Sequence, residues 1–190
     1  MFILYAIPLG LAIGFALGGA PAGLARLEFR WPWVLMAGLF VQLILFTDFV
    51  AARIGDAGSA IYVASTAAVF AGVLRNVEIP GMALVAVGAA SNLAAIIANG
   101  GYMPAGAAAM AALGKTDPTI YSNSAVVARP ALEPLTDIFA LPAWIPFANI
   151  FSVGDVVIGL GVVLVIAASL RDARPRREPD RTHNEATTPA

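Results

Sequence analysis

Two aspartates are the side chains best suited to chemistry. One lies in Leu135-Thr136-Asp137-Ile138-Phe139, the other in Ser152-Val153-Gly154-Asp155, 18 positions on. Both border apolar sequence. A carboxyl in apolar surroundings is costly to ionise, so its pKa rises, and two such groups side by side share one proton. Such a pair holds one acid and one base, the machinery that activates water against an amide. Structural explanations compete for both residues. Ser152-x-x-Asp155 ahead of an apolar run is close to a capping box, and an acid in a first turn complements the helix dipole. Asp137 equally fits a helix cap or an ion pair with Arg129.

Other candidates surround this pair. The Asn99 amide or the Ser152 hydroxyl can orient a substrate carbonyl. Asn99-Gly100-Gly101-Tyr102 also reads as a helix C-cap with glycine in the left-handed region. Ser122 or Ser124 with Lys115 would make a Ser-Lys pair, but Gly114-Lys115-Thr116-Asp117-Pro118 reads as a solvated turn. The one histidine, His183, sits in a polar tail across the membrane from those serines, which excludes a Ser-His-Asp triad. There is no cysteine, so disulfides and thiolate chemistry are excluded, and a zinc site lacks ligands. No cofactor or metal is expected. Gln42, Ser91 and Asn92 are polar residues in mid-span, with Thr47 and Asp48 near a span end. Such groups mark transport paths or hydrogen-bond helices together.

The elements that must position these residues are membrane helices. The 190 residues are 59% hydrophobic and 12% charged, where soluble domains carry about 25% charged residues. The mean hydropathy is +0.83 and the formal charge is -1, with no basic field for nucleic acid. A bilayer core takes roughly 20 apolar residues per helix. Five segments approach this: 2–19, 33–50, 60–74, 82–98 and 153–170. Eight arginines (26, 30, 75, 171, 174, 176, 177 and 181) fall on one side, against Arg53, Lys115 and Arg129 on the other. The positive-inside rule then puts the N-terminus outside and the C-terminus in the cytoplasm. The first segment has no basic leader, so it reads as an uncleaved span. Its Gly10, Gly14 and Gly18 give a smooth stripe for packing within the chain or between chains.

The fold class is therefore all-α integral membrane, a five-helix transmembrane bundle with an outer interfacial cap between helices four and five. Residues 1–170 form the membrane domain, 99–151 the cap loop, and 171–190 a disordered cytoplasmic tail whose arginines suit anionic lipid. The cap carries small apolar residues, then prolines and aromatics. Tyr102, Trp144 and Phe147 fit the headgroup-level aromatic belt.

Two resemblances follow from these residues. Phe151-Ser152-Val153-Gly154-Asp155 with its apolar run, and Leu135-Thr136-Asp137-Ile138-Phe139, resemble the catalytic segments of lipoprotein signal peptidase (signal peptidase II). That likeness implies an aspartyl peptidase with Asp137 and Asp155 as its acids. Over nearly the whole chain, the patterns around Asn99-Gly100-Gly101-Tyr102-Met103-Pro104, Asp137 and Asp155 resemble the domain-of-unknown-function family 5317. That likeness implies a bacterial plasma membrane and no activity. Two functions stay open. One is a non-catalytic assembly or accessory subunit; the alternative is an outer-leaflet aspartyl hydrolase. The expected partners are membrane lipid with a membrane-anchored protein or lipid substrate, or a partner subunit, and no nucleic acid.

Overall fold

The structure, a computed structural model, describes residues 2–114, 124, 125 and 127–172. Lys115, Ser122, His183 and the tail from 173 onward lie outside the described residues, as does the side chain of Ser124. The described residues form seven α-helices: α1 Ala6–Ala16, α2 Pro32–Leu45, α3 Asp48–Ile54, α4 Ala57–Leu74, α5 Met82–Ala98, α6 Ala107–Ala112 and α7 Val153–Arg171. Two small sheets lie between α5 and α7. β1 (Met103–Pro104) pairs in parallel with β2 (Ser124–Ala125), and β3 (Phe139–Ala140) pairs antiparallel with β4 (Ile150–Phe151).

α4 and α7 are long and apolar enough to cross a membrane, and α2 with α3 counts as a third if that bent pair is one span. The stretch Ile3–Ala16 and α5 are apolar but shorter. The expected straight second span, 33–50, instead breaks. α2 stops at Leu45 and α3 leaves at 81°. At the break Thr47 is extended and its hydroxyl donates to the Ile44 carbonyl at 2.7 Å. Asp48 then opens the next helix, so a threonine competing for backbone bonds ends one helix where hydropathy alone reads continuity.

α7 is the hub. α1 and α5 both pack along it, α4 packs on α5, and α2 packs on α4. Glycines set the closest approaches. On α5 and α7, Gly81 meets Gly161 and Gly88 meets Gly154, an antiparallel seam in which an added Cβ at any of the four would collide with the opposite helix. Gly10 and Gly14 rest on Val163, Ile166, Ala167 and Leu170, so α1 runs parallel to α7 and two of the three stripe glycines serve packing within the chain. Gly18 lies past the end of α1 with φ +75°.

Side chains on the far side of the layer stay uncovered. Trp33, Met36, Phe40 and Leu43 of α2 are 60–70% exposed, an apolar surface suited to lipid rather than water. Two amides, Asn76 buried and Asn99 half-buried, pin peripheral chain to helix ends. Asn76 bonds both the N–H and the carbonyl of Arg30, at 2.7 and 2.8 Å. Asn99 does the same to Ala131, at 2.9 Å each.

Candidate functional site

The cap is anchored where α5 ends. Gly101 N–H bonds the Ile96 carbonyl and Gly100 N–H bonds that of Ile97, the paired closure of a Schellman motif, with both glycines at positive φ. The chain then runs into β1. Beside it lies Asp137, whose N–H donates to the Pro104 carbonyl at 3.0 Å and whose carbonyl accepts from Gly106 at 2.9 Å. The Asp137 backbone is thus gripped on both sides. The residue is 6% exposed, and its neighbour Thr136, 1% exposed, turns its hydroxyl to the Glu133 carbonyl.

From Asp137 the chain folds back as the β3–β4 hairpin. Phe139 pairs with Phe151, their rings stacked 5.6 Å apart. That return brings Ser152 and the start of α7 beside the Asp137 strand and removes the 18-residue separation. The hairpin tip carries Trp144 and Phe147, 83% and 73% exposed. The Tyr5 hydroxyl donates to the Pro146 carbonyl and ties the tip to the turn before α1.

At the head of α7 the capping box is complete. Ser152 Oγ accepts from the Asp155 N–H at 3.0 Å, and Asp155 Oδ2 accepts from the Ser152 N–H at 3.2 Å. A third residue joins from α5. Asn92 Nδ2 donates to Asp155 Oδ1 at 2.8 Å, and Asn92 Oδ1 accepts from Ser152 Oγ at 2.8 Å. Asn92 reaches this far because Gly154 has no side chain: an added Cβ would overlap Asn92 Oδ1. Both Asp155 oxygens therefore accept hydrogen bonds, which fix the carboxylate at a helix N-terminus, where the dipole suits negative charge.

Asp137 and Asp155 line one cavity of about 350 Å³, at the lower end of the usual size for ligand sites. Asn92 and Asn149 line it beside the acids, and Gln42, bonded to Thr66 at 3.2 Å, lines it further in. Leu39, Val69, Phe70, Ala89 and Ile158 form the deeper wall. Asn149 Oδ1 is buried with no hydrogen-bond partner among the described residues. The two residues expected to orient a substrate are placed elsewhere. Asn99 holds Ala131 and the Ala95 carbonyl, and Ser152, fully buried, holds Asp155 and Asn92. Neither lines the cavity. The amides that do are Gln42, Asn92 and Asn149. Asn92 reads from sequence only as a polar residue in mid-span. The signal that pairs it with α7 is the seven-residue glycine spacing, 81 and 88 on one helix, 154 and 161 on the other.

Among the described residues no group of three or more histidine, aspartate or glutamate side chains could hold a metal ion. A model of a family of unknown function (DUF5317) matches residues 26–167. No curated protein and no solved structure matches the chain, so the local likeness to lipoprotein signal peptidase has no support beyond the residues that suggested it.

Proposed function

We propose, for a chain that belongs to the DUF5317 family and takes no assigned activity from it, an outer-leaflet hydrolase of a membrane-borne substrate with Asp137 and Asp155 as its acid and base. The observation that carries this reading is the shared cavity, which both carboxylates line. Intramembrane acids are costly and mark functional sites by default. Asp155, held by Asn92 and its own cap, is the base: each carboxylate oxygen keeps a lone pair beyond the bond it accepts. It takes one proton of a water as the water oxygen bonds the carbonyl carbon. Asp137 gives its proton to the leaving nitrogen or oxygen as that bond to carbon breaks. Asn92 is a positioning residue that fixes Asp155.

The test works on an unidentified substrate. Purified protein in nanodiscs is incubated with the amphiphile extract of a bacterial membrane, and products are profiled by mass spectrometry. The wild type consumes species that Asp137→Asn leaves intact, with a loss of about 10²–10⁴-fold in rate, the usual worth of a general acid or base. Identical profiles for wild type, Asp137→Asn and protein-free discs sink the hydrolase. A non-catalytic assembly or accessory role then takes its place, favoured by the capping box that accounts for Asp155 structurally and by the exposed Trp144–Phe147 tip.

The setting of this site is a five-span protein of the bacterial plasma membrane, cap outside and C-terminus in the cytoplasm. Several features support that arrangement. α1 runs parallel to α7, α5 antiparallel to α7, and α2 antiparallel to α4, as alternating spans require. α5, about 26 Å long at 1.5 Å per residue, is short for a core of about 30 Å, a mismatch that bilayers absorb by local thinning. Arg26 and Arg171 share a groove of about 660 Å³ with Glu28, Glu78 and Asp172 at the end opposite the cap. Arg30 pairs with Glu78 at 3.2 Å, and Arg75 stacks over Trp31 in the same region. The chain has no cysteine, so single introduced cysteines report cleanly. In intact cells Ala112→Cys reacts with an impermeant maleimide, and Val77→Cys reacts only after lysis. The reverse pattern inverts the topology.

A further inference from the structure

The helices form an open row rather than a ring. α1 lies on α7, α7 on α5, α5 on α4 and α4 on α2, while α1 and α2, the two ends, make no extended contact. The acid-bearing cavity opens toward that gap: Ile3, in the turn before α1, and Leu39, of α2, both line it. Leu39 is 53% exposed, so the wall at the mouth faces the surroundings as well as the cavity. Charge is confined to the cap end. Toward the cap are Asp137, Asp155, Asn92 and Asn149, with Tyr62, Ile96 and Met103 among them; Gln42 and Thr66 follow, and beyond them, on α2, α4, α5 and α7, are Leu39, Val69, Phe70, Ala89 and Ile158.

Among the four side chains nearest the cap, Asp137, Asp155, Asn92 and Asn149, carboxylate and amide oxygens outnumber the amide nitrogens. Both Asn92 amide atoms are taken by Ser152 and Asp155. Asn149 spends its Nδ2 on the Ile150 carbonyl and leaves its Oδ1 buried and unpartnered. A buried acceptor without a donor costs free energy until a ligand supplies one, and two carboxylates beside it repel an anion.

We infer that this cavity takes a membrane amphiphile that enters sideways between α1 and α2, with a hydrogen-bond-donating, non-anionic head at Asp137, Asp155 and Asn149 and a hydrocarbon chain along Leu39, Val69 and Phe70. An amine or amide head fits; a bare carboxylate or phosphate head does not. This names the substrate class of the hydrolase proposed above and rests on that site, but binding is measured here without turnover.

The probes are a long-chain alkyl amine and the matched carboxylic acid, each with a photoreactive diazirine in its chain. The full-length protein is reconstituted in phosphatidylcholine nanodiscs, and crosslinked residues are mapped by mass spectrometry. The amine labels the Leu39, Val69 and Phe70 lining about tenfold or more over the acid, the size expected of like-charge rejection in a site out of water. Leu39→Trp, at the exposed mouth, lowers that labelling and spares labelling of the lipid-facing Met36 and Leu43. Equal labelling by the two probes overturns the inference, as does labelling confined to Met36 and Leu43. The wild-type comparison of the two heads decides even if Leu39→Trp fails to fold. Cavity labelling by the amine without Asp137-dependent turnover sinks the hydrolase and keeps the ligand class; Asp137-dependent turnover of an anionic amphiphile does the opposite.

Discussion

Replacing Gly88 with alanine separates α5 from α7 and costs about 3 kcal/mol or more, the upper range for overpacking a tight interface. The reason is the identity of the atoms in the way. A Cβ at Gly88 would overlap the Gly154 carbonyl oxygen and come within 2.9 Å of the Ile158 nitrogen. Both belong to the backbone of α7, so no rotamer change relieves the clash. Close glycine contacts of this kind are what hold membrane helices together, because lipid offers no hydrophobic drive for their association. The loss spreads to the site: Asn92 lies one turn beyond Gly88, and its 2.8 Å bond to Asp155 spans the same two helices. Gly106→Ala is the matched control. It has a negative φ, and its added Cβ would meet nothing nearer than 3.5 Å, so it stays within about 0.5 kcal/mol of wild type. Thermal unfolding in detergent micelles, followed by tryptophan fluorescence, reads both. A Gly88→Ala protein as stable as Gly106→Ala would mean that α5 and α7 do not meet along this seam.

Asn92→Asp has the second large effect, and its sign depends on pH. In the wild type, Asn92 Nδ2 donates to Asp155 Oδ1. A carboxylate at 92 puts two acceptors face to face with no proton between them. Below about pH 4 one of the pair is protonated in the folded and unfolded chains alike, and the shared proton restores the bond. Two carboxylates that share one proton repel each other once both ionise. The variant's stability is therefore intact in acid and falls as the pH rises toward neutral. The cost at neutral pH is about 2–3 kcal/mol, the upper range for losing a hydrogen bond to a charged group, since both side chains are half-buried. A variant whose melting temperature follows the wild type across this range would sink the Asn92–Asp155 contact.

The exchanged pair sharpens the result. In Asn92→Asp with Asp155→Asn, an aspartate at 92 accepts from Ser152 Oγ and from the amide at 155, whose oxygen still accepts the Ser152 N–H. Every donor and acceptor is matched again, so the double variant recovers most of the lost stability, a coupling that a double-mutant cycle measures directly. Under the hydrolase reading it stays inactive, because the charge has moved from α7 to α5. Asp155→Asn alone is mild, about 1 kcal/mol, since asparagine also serves at helix starts and the Asn92 amide can flip to present its oxygen.

Local chemistry was the legible part of this molecule. The bounds of α5 follow from hydropathy and from Asn99-Gly100-Gly101, whose glycines adopt the left-handed conformation at the helix end. The start of α7 follows from Ser152-Val153-Gly154-Asp155, whose capping box closes as its spacing suggests. Features set by tertiary contact were not legible. Thr47 reads as one polar residue near a span end, and only the folded chain shows it ending α2. That Asp137 and Asp155 line one cavity depends on the β3–β4 hairpin, whose strands are two residues each and carry no alternating pattern. Asn149, which lines the cavity with a free oxygen, sits in an ordinary-looking loop. Hydropathy also overstates continuity, since a run of apolar residues does not reveal a bend inside it.

The hub position of α7 has a consequence for biosynthesis. α1 leaves the ribosome well before α7, yet α7 is the helix on which Gly10 and Gly14 of α1 rest. At about 5–20 residues per second, roughly 8–30 s pass between them. Until α7 arrives, α1 waits with its smooth glycine face uncovered, and α5, once made, waits with Gly81 and Gly88 exposed. Assembly is therefore ordered by the calendar of translation: α1 is made long before the neighbour it rests on, and a stalled chain presents two sticky seams to whatever helix drifts past.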